Sequence, residues 1–516
     1  MRTKPRLWVI PMAIVIGLML VSCGMKKDTA QESEGAFTTL NELQDKTIGI
    51  QTGTNFDALT AKQLPNAKFE YFNSLPDLVG ALKTGKIDAF PGDEPQLLVT
   101  MKEEPSVTIL DERLDHFDFG FIFPKDGKGD ALRDEFNAFL EMVKADGTLE
   151  KIRNVWFDDD ESKQVPSGYE DLPATNGTLV LATEGAYPPF NFYKNNKVVG
   201  LDVDLATLFC KEYGYGLHVE VMSLDATIPA VKTGKVNFAA SGITITSERA
   251  ESVNFSDPYF SGGTVMAVLK ADAAAGGNPI EQIKASFEKT FIKEDRYVLF
   301  AQGIGVTLFI TVLSVIFGTA LGFVVFMWCR KGKRFANTVT NFMIWLIQGM
   351  PMVVLLMILY YIVFGKSSIE GEWVAVIGFS LTFGAAVFGM LKAGVDAVDR
   401  GQTEAAYALG FTDRQTFFEI VLPQAARFFM GSYRGEIVSL IKSTAIVGYI
   451  AVQDLTKMGD IVRSRTYEAF FPIISVAVFY FILAALLTTI VKWLTAGVDP
   501  RKNKEKKFLK GVKTHD

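Results

Sequence analysis

The sequence predicts a two-lobed α/β domain followed by an all-α transmembrane domain of about five spans. Three observations carry that reading. Of 516 residues, 49% are hydrophobic and 21% charged, with mean hydropathy +0.20; this is too apolar for an ordinary soluble chain and too charged for membrane throughout. A phrase made of a helix end, a Gly turn and an apolar strand occurs twice in the N-terminal half, as "ALKTGKIDAF" (Ala81–Phe90) and "AVKTGKVNFA" (Ala230–Ala239). The C-terminal half carries the apolar runs Val298–Trp328, Phe342–Phe364, Val374–Leu391, Ile437–Val452 and Phe471–Trp493, which have the length and composition of bilayer spans, the fourth being the shortest. A net charge of −6 with no basic patch among aromatics argues against nucleic acid. Three cysteines (Cys23, Cys210, Cys329) and three histidines are too few and too scattered for a disulfide framework or a metal cluster.

Residues 1–22 form a targeting signal: a basic "MRTKPR", an apolar "LWVIPMAIVIGLMLV" and a small-residue processing site. Leu20-Val21-Ser22-Cys23 resembles a bacterial lipobox, which implies acylation of Cys23. The alternative is an uncleaved anchor. Both place the adjoining α/β segment outside the cytoplasm.

The soluble region divides into 37–157 and 178–270, joined by a polar linker at 158–177. Lys-Thr-Gly-Lys supplies the basic last turn and Gly cap that stop a helix. Gly80–Lys86 nearly spells a phosphate loop, but Ile87 stands where Ser or Thr is required. In the later segment, Ser241-Gly242-Ile243-Thr244 follows a strand and offers N–H groups and hydroxyls, and Arg249 has the fork that grips a carboxylate. "TEGAYPPFNF", "GLDVDLATLF" and "TGKVNFAASGITITSERAESVNFSDPYF" resemble the first lobe of periplasmic-type binding proteins for polar amino acids. That resemblance implies a type II two-lobed fold, with Tyr187 and Phe190 covering the ligand and Glu184 near its side chain or amino group. The earlier segment is similar to the second lobe of the same family. Its Thr52-Gly53-Thr54 turn precedes a helix start suited to a carboxylate, and Asp93 falls where the family binds the α-ammonium. "FNAFLEMVKADGTLEKIRNVWF" matches the family's closing helices. Asn55 and Leu224 depart from the family pattern. The lobes therefore come in reversed order, which reads as one circularly permuted domain; the rival is two truncated domains in tandem.

Residues 271–297 read as an Ala/Gly linker and an interfacial helix, 298–495 as the membrane domain and 496–516 as a basic cytoplasmic tail. Between the third and fourth runs, in loop 399–425, "TEAAYALGFTDRQTFFEIVLPQA" resembles the EAA loop of ABC-importer permeases. The resemblance implies that Glu404, Ala405, Ala406 and Gly410 dock on a cytoplasmic ATPase. Gln348-Gly349-Met350-Pro351 and Gly389 depart from the polar amino acid permease pattern. No G-x4-GK-[ST] occurs, so the chain is expected to hold no cofactor or metal and to be no enzyme itself. ATP and Mg would belong to separate ABC ATPase subunits. The expected whole is a fused binding and permease subunit, a homodimer in the bacterial cytoplasmic membrane, importing a polar L-amino acid. An enzyme on the binding-protein fold and a ligand-gated channel are the other classes; the EAA stretch argues against both.

Overall fold

The computed structural model describes residues 37–270, 279–330, 332, 334–365, 367, 369–468 and 471–495. The signal, Cys23 and the basic tail lie outside the described residues. Strands β1 (Thr47–Gln51), β2 (Lys68–Phe72), β3 (Phe90–Asp93) and β4 (Val107–Phe119) build one lobe with helices α1 (Phe56–Gln63), α2 (Leu75–Lys83) and α3 (Glu94–Glu103). The chain then crosses into β5 (Ile122–Phe123), α4 (Gly127–Ala145) and α5 (Thr148–Trp156). The second lobe continues with β6 (Thr178–Thr183), the hairpin strands β7 (Ala186–Tyr187), β8 (Asn191–Lys194) and β9 (Lys197–Val199), and α6 (Leu201–Glu212). After these come β10 (Gly216–Val221), α7 (Leu224–Lys232), β11 (Phe238–Ala239), β12 (Asn254–Phe255) and β13 (Phe260–Leu269).

The sheets trade strands across the lobes. One runs β10-β6-β11-β5-β12, and another β3-β13-β4, to which β1 and β2 attach through an Ile48–Ala89 bridge. Thus β13, expected within the 178–270 lobe, pairs antiparallel with β3 from Thr264–Asp93 to Ala267–Phe90 and completes the other lobe. Conversely β5, expected in the 37–157 lobe, pairs with β11 and β12. The corrected lobe boundaries fall at two crossings, near residues 120 and 258. There the strands run side by side, with Ser256 N–H donating to Phe121 O at 2.8 Å and Tyr259 N–H to Phe119 O at 3.1 Å. The reason is local: hydropathy marks β13 as a buried strand but does not say which sheet lacks one. Asp126 caps α4 by accepting from Lys128 and Gly129 N–H. Helices α4 and α5 then close over α6, with Phe136 edge-on to Phe209 at 5.1 Å and Trp156 Nε1 donating to Asp204 at 2.8 Å. Each Phe buried in this core contributes about 1.5–3 kcal/mol.

Among the described residues of the membrane half, α8 (Tyr297–Arg330), α11 (Gly371–Asp396) and α15 (Phe471–Leu494) are the unbroken helices long and apolar enough to span. The second apolar run is instead α9 (Arg334–Gln348) and α10 (Met352–Met357), bent by 105°. Pro351 explains the break: it lacks an N–H and holds its predecessor out of the helical region. The fourth run lies on α13 (Leu422–Ser443) and its 3-10 extension to Ile450, bent by 57° from α14 (Leu455–Thr466). Five spans result if each bent pair counts as one. Gly318 and Gly322 bring α8 against α11; a Cβ on Gly322 would lie 2.5 Å from Gly384 O. The loop between α11 and α13 folds as α12 (Arg400–Ala408), a turn at Gly410 with φ +85°, and a helix start closed by a Thr412–Gln415 capping box.

Candidate functional site

The cleft lies between the lobes beside the crossings. Arg249 stands on a short helix whose cap, Thr246 Oγ1, accepts its N–H at 3.2 Å. Its guanidinium donates to Thr244 O at 3.1 Å and, across the cleft, to Gly53 O at 2.9 Å. Asp93, at the end of β3, accepts from Tyr187 Oη of the opposite lobe and from Thr264 Oγ1 at 3.5 Å. Burial pushes the Asp93 carboxyl up to about 7, against the two hydroxyl hydrogen bonds and the Arg249 charge. Desolvation lowers Arg249, with the Asp93 and Glu248 charges opposing it. Glu184 is raised by burial; Lys457 pulls it down and Asp225 pushes it up. Its N–H donates to Ser241 Oγ at 3.1 Å.

These contacts leave a cavity of about 30 Å³ lined by Thr54, Asp93, Glu184, Tyr187, Ser241, Gly242, Thr244 and Arg249. That is room for a water or two, so an amino acid enters only as the lobes part. The groups expected to hold a carboxylate and an ammonium here hold each other's lobe. Gly242 sits at φ +57°, and a Cβ there would fall 2.3 Å from the Tyr187 ring. Three expected ligand residues lie outside that lining: Gly53, whose carbonyl accepts from Arg249, Phe190 and Thr52. Phe190 is fully buried, 5.1 Å from the Phe119 ring and 4.9 Å from Phe260, and does not line the cavity. Thr52 lines a neighbouring cavity, and its N–H is taken by Phe72 O at 2.8 Å. Asp202, not singled out from the sequence, anchors the Ser241–Thr244 loop. It accepts from Tyr259 Oη at 2.6 Å, Asn191 Nδ2 at 2.9 Å and Gly242 N–H at 3.3 Å. Its signal was an acid at the start of an otherwise apolar helix in "GLDVDLATLF".

The domain rests on the membrane helices. Tyr360 Oη donates to Glu220, Lys235 donates to Ser367 O at 3.3 Å and to Ile369 O, and Arg463 of α14 pairs with Asp77. At the far end, Ala406 is buried while Glu404, Ala405 and Gly410 are exposed. Arg330 of α8 clamps that loop, 2.8 Å from Asp413 and 4.3 Å above the Phe417 ring.

The profile of bacterial extracellular solute-binding proteins, family 3, matches residues 179–448. A putative glutamine transport system permease protein of Rickettsia felis is 35% identical over 202 residues, 38% of this chain and 91% of the relative. The arginine transport system permease protein ArtQ of Bacillus subtilis is 33% identical over 196 residues, 37% of this chain and 88% of the relative. A solved amino acid ABC transporter with histidines covers 43% of this chain and 100% of its own at 26% identity and TM-score 0.37. The chain therefore belongs to family 3 of the bacterial extracellular solute-binding proteins and, by those relatives, to the amino-acid transport-system permeases.

Proposed function

We propose that the chain captures a polar amino acid outside the cell and forms the membrane path for its ATP-driven import. The observation that carries this is the pairing, on one polypeptide, of a cleft with Arg249 and Asp93 on opposite lobes and membrane helices seated beneath it. The relatives are named as glutamine and arginine transport system permeases, which supports a polar amino acid as ligand. In this reading Arg249 takes the α-carboxylate, Asp93 the α-ammonium, and Tyr187 covers the stem. Ser241, Gly242, Thr244 and Thr54 complete the polar wall, Gly53 steadies Arg249 through its carbonyl, and Glu184 faces the ligand. Closure is a hinge motion about the two crossings, stabilised by contacts that only the closed state makes.

The lobes form one permuted domain closing within a single chain, and the strand exchange at β5 and β13 supports this. The exposed Glu404–Gly410 loop docks on a separate ABC ATPase, which brings ATP and Mg; a homodimer supplies the second half of the path. Cys23 is the lipidation site, and the protein sits in the bacterial cytoplasmic membrane with its α/β domain outside. The test is uptake of labelled L-glutamine and L-arginine by cells carrying the chain and an ABC ATPase. Arg249→Ala removes a charged two-pronged contact at about 1.5–3 kcal/mol per hydrogen bond, a loss of about 10²- to 10⁴-fold. Undiminished uptake by that variant overturns the assignment.

A further inference from the structure

Glu184, a wall of the cleft, also lines a second cavity of about 280 Å³ bounded by both lobes and the membrane helices. Thr52 and Asp77 enter from one lobe, Glu184 and Asp225 from the other, and Lys457 and Asp460 from α14. Its size approaches the roughly 300–1,000 Å³ of ligand pockets, whereas the cleft cavity at about 30 Å³ is far below it. Charges of both signs face it, as a zwitterion requires.

Two of its cations differ in their engagement. Arg463 is tied to Asp77 and, at 3.1 Å, to Asp460. Lys457 is held by its backbone, its N–H donating to the Asp454 cap at 3.0 Å. Among the described residues its ammonium makes no ion pair. The wall also holds two buried polar atoms without a partner among the described residues, Arg463 Nε and Ser223 Oγ.

We propose that this chamber is a second amino-acid subsite between the cleft and the membrane helices, in which Lys457 takes the α-carboxylate and Asp460 and Glu184 the α-ammonium. The inference rests on the reading of the cleft as the first amino-acid site. Glu184 lines both cavities, so a ligand passing from one to the other stays beside that carboxylate.

The experiment is equilibrium binding of radiolabelled L-glutamine, L-arginine and L-cystine, each alone, to the full-length chain in lipid nanodiscs. Wild type binds a tight and a weaker equivalent. Lys457→Gln weakens the second about tenfold or more, the loss expected for a hydrogen bond to a charged group, and leaves the tight site intact, which also reports folding. Asp460→Asn weakens the same site, and Lys457→Arg retains it. Arg249→Ala removes the tight site and spares the weak one. One equivalent in wild type, or both sites intact in Lys457→Gln, overturns the chamber. A tight site surviving Arg249→Ala overturns the cleft reading instead, and failure of all three probes to bind overturns both.

Discussion

Asp93 makes the cleft a place where function opposes stability. Its carboxyl is buried and raised from 3.8 to about 7. A carboxyl with a raised folded pKa keeps its proton longer in the folded state than in the unfolded chain. The folded state therefore binds more protons between about pH 4 and 7, and stability falls as pH rises through that window. The full penalty is (7 − 3.8) × 1.36 kcal/mol, about 4.4 kcal/mol. By pH 5 about 1.6 kcal/mol of it is already present, so about 3 kcal/mol accrues between pH 5 and 8. Asp93→Asn keeps a group that can accept from Tyr187 and removes the titration. The variant should melt increasingly above wild type as pH rises from 5 to 8. The gap in the α/β domain's transition should widen by about 6–12 °C, at 2–4 °C per kcal/mol for a domain of this size. Differential scanning calorimetry of the full-length chain without ligand at each pH measures it. A gap that stays constant across that range refutes the argument that burial, rather than Arg249, governs Asp93. The same variant loses ligand affinity at all pH values, since the ammonium then meets no carboxylate.

Gly242→Ala places a methyl 2.3 Å from the Tyr187 ring at a positive φ, so it should displace Tyr187 from Asp93. Ligand binding should be lost, with destabilisation of about 1–3 kcal/mol, read by calorimetry; unchanged binding would contradict the loop geometry. Gly322→Val should force α8 from α11, because backbone and not a flexible tip lies 2.5 Å from the added Cβ. Its thermal stability in detergent should fall well below that of Gly305→Val on the same helix, where nothing lies within 4 Å; equal melting of the two would count against that packing.

Much of this architecture was readable from residue patterns. The repeated Lys-Thr-Gly-Lys phrase marked two α/β lobes, and apolar length marked the helical half. The finer division between lobes was not readable. The Gly263–Leu269 stretch is equally apolar in either sheet, and only the register with β3 decides its home. Hydropathy likewise counts apolar length without direction, so it joined across Gln348-Gly349-Met350-Pro351 what the structure bends by 105°. At the cleft, Asp93 was recognisable as an acid after a strand and Arg249 as a fork for a carboxylate, and the structure brings both to one cavity. Phe190 read equally as ligand cover or core, because an aromatic after a Pro-Pro turn has the same signature in both, and the structure buries it. Lys457 was passed over because Asp454-Leu455-Thr456-Lys457 reads as an ordinary helix start, which it also is.

The exit of β13 has a consequence for how such a transporter would respond to scarcity. Strand β13 ends at Leu269 and helix resumes at Pro279, so ten residue steps, at most about 36 Å, separate those two anchors. The receptor can lift and turn but cannot leave. Its local concentration over the membrane helices is then of the order of millimolar, and docking is independent of how many receptors the cell makes. A freely diffusing receptor can outnumber its permeases and act as a reservoir that soaks up trace solute before delivery. Here supply and gate are made in a fixed ratio. Each added receptor therefore brings its own gate with it.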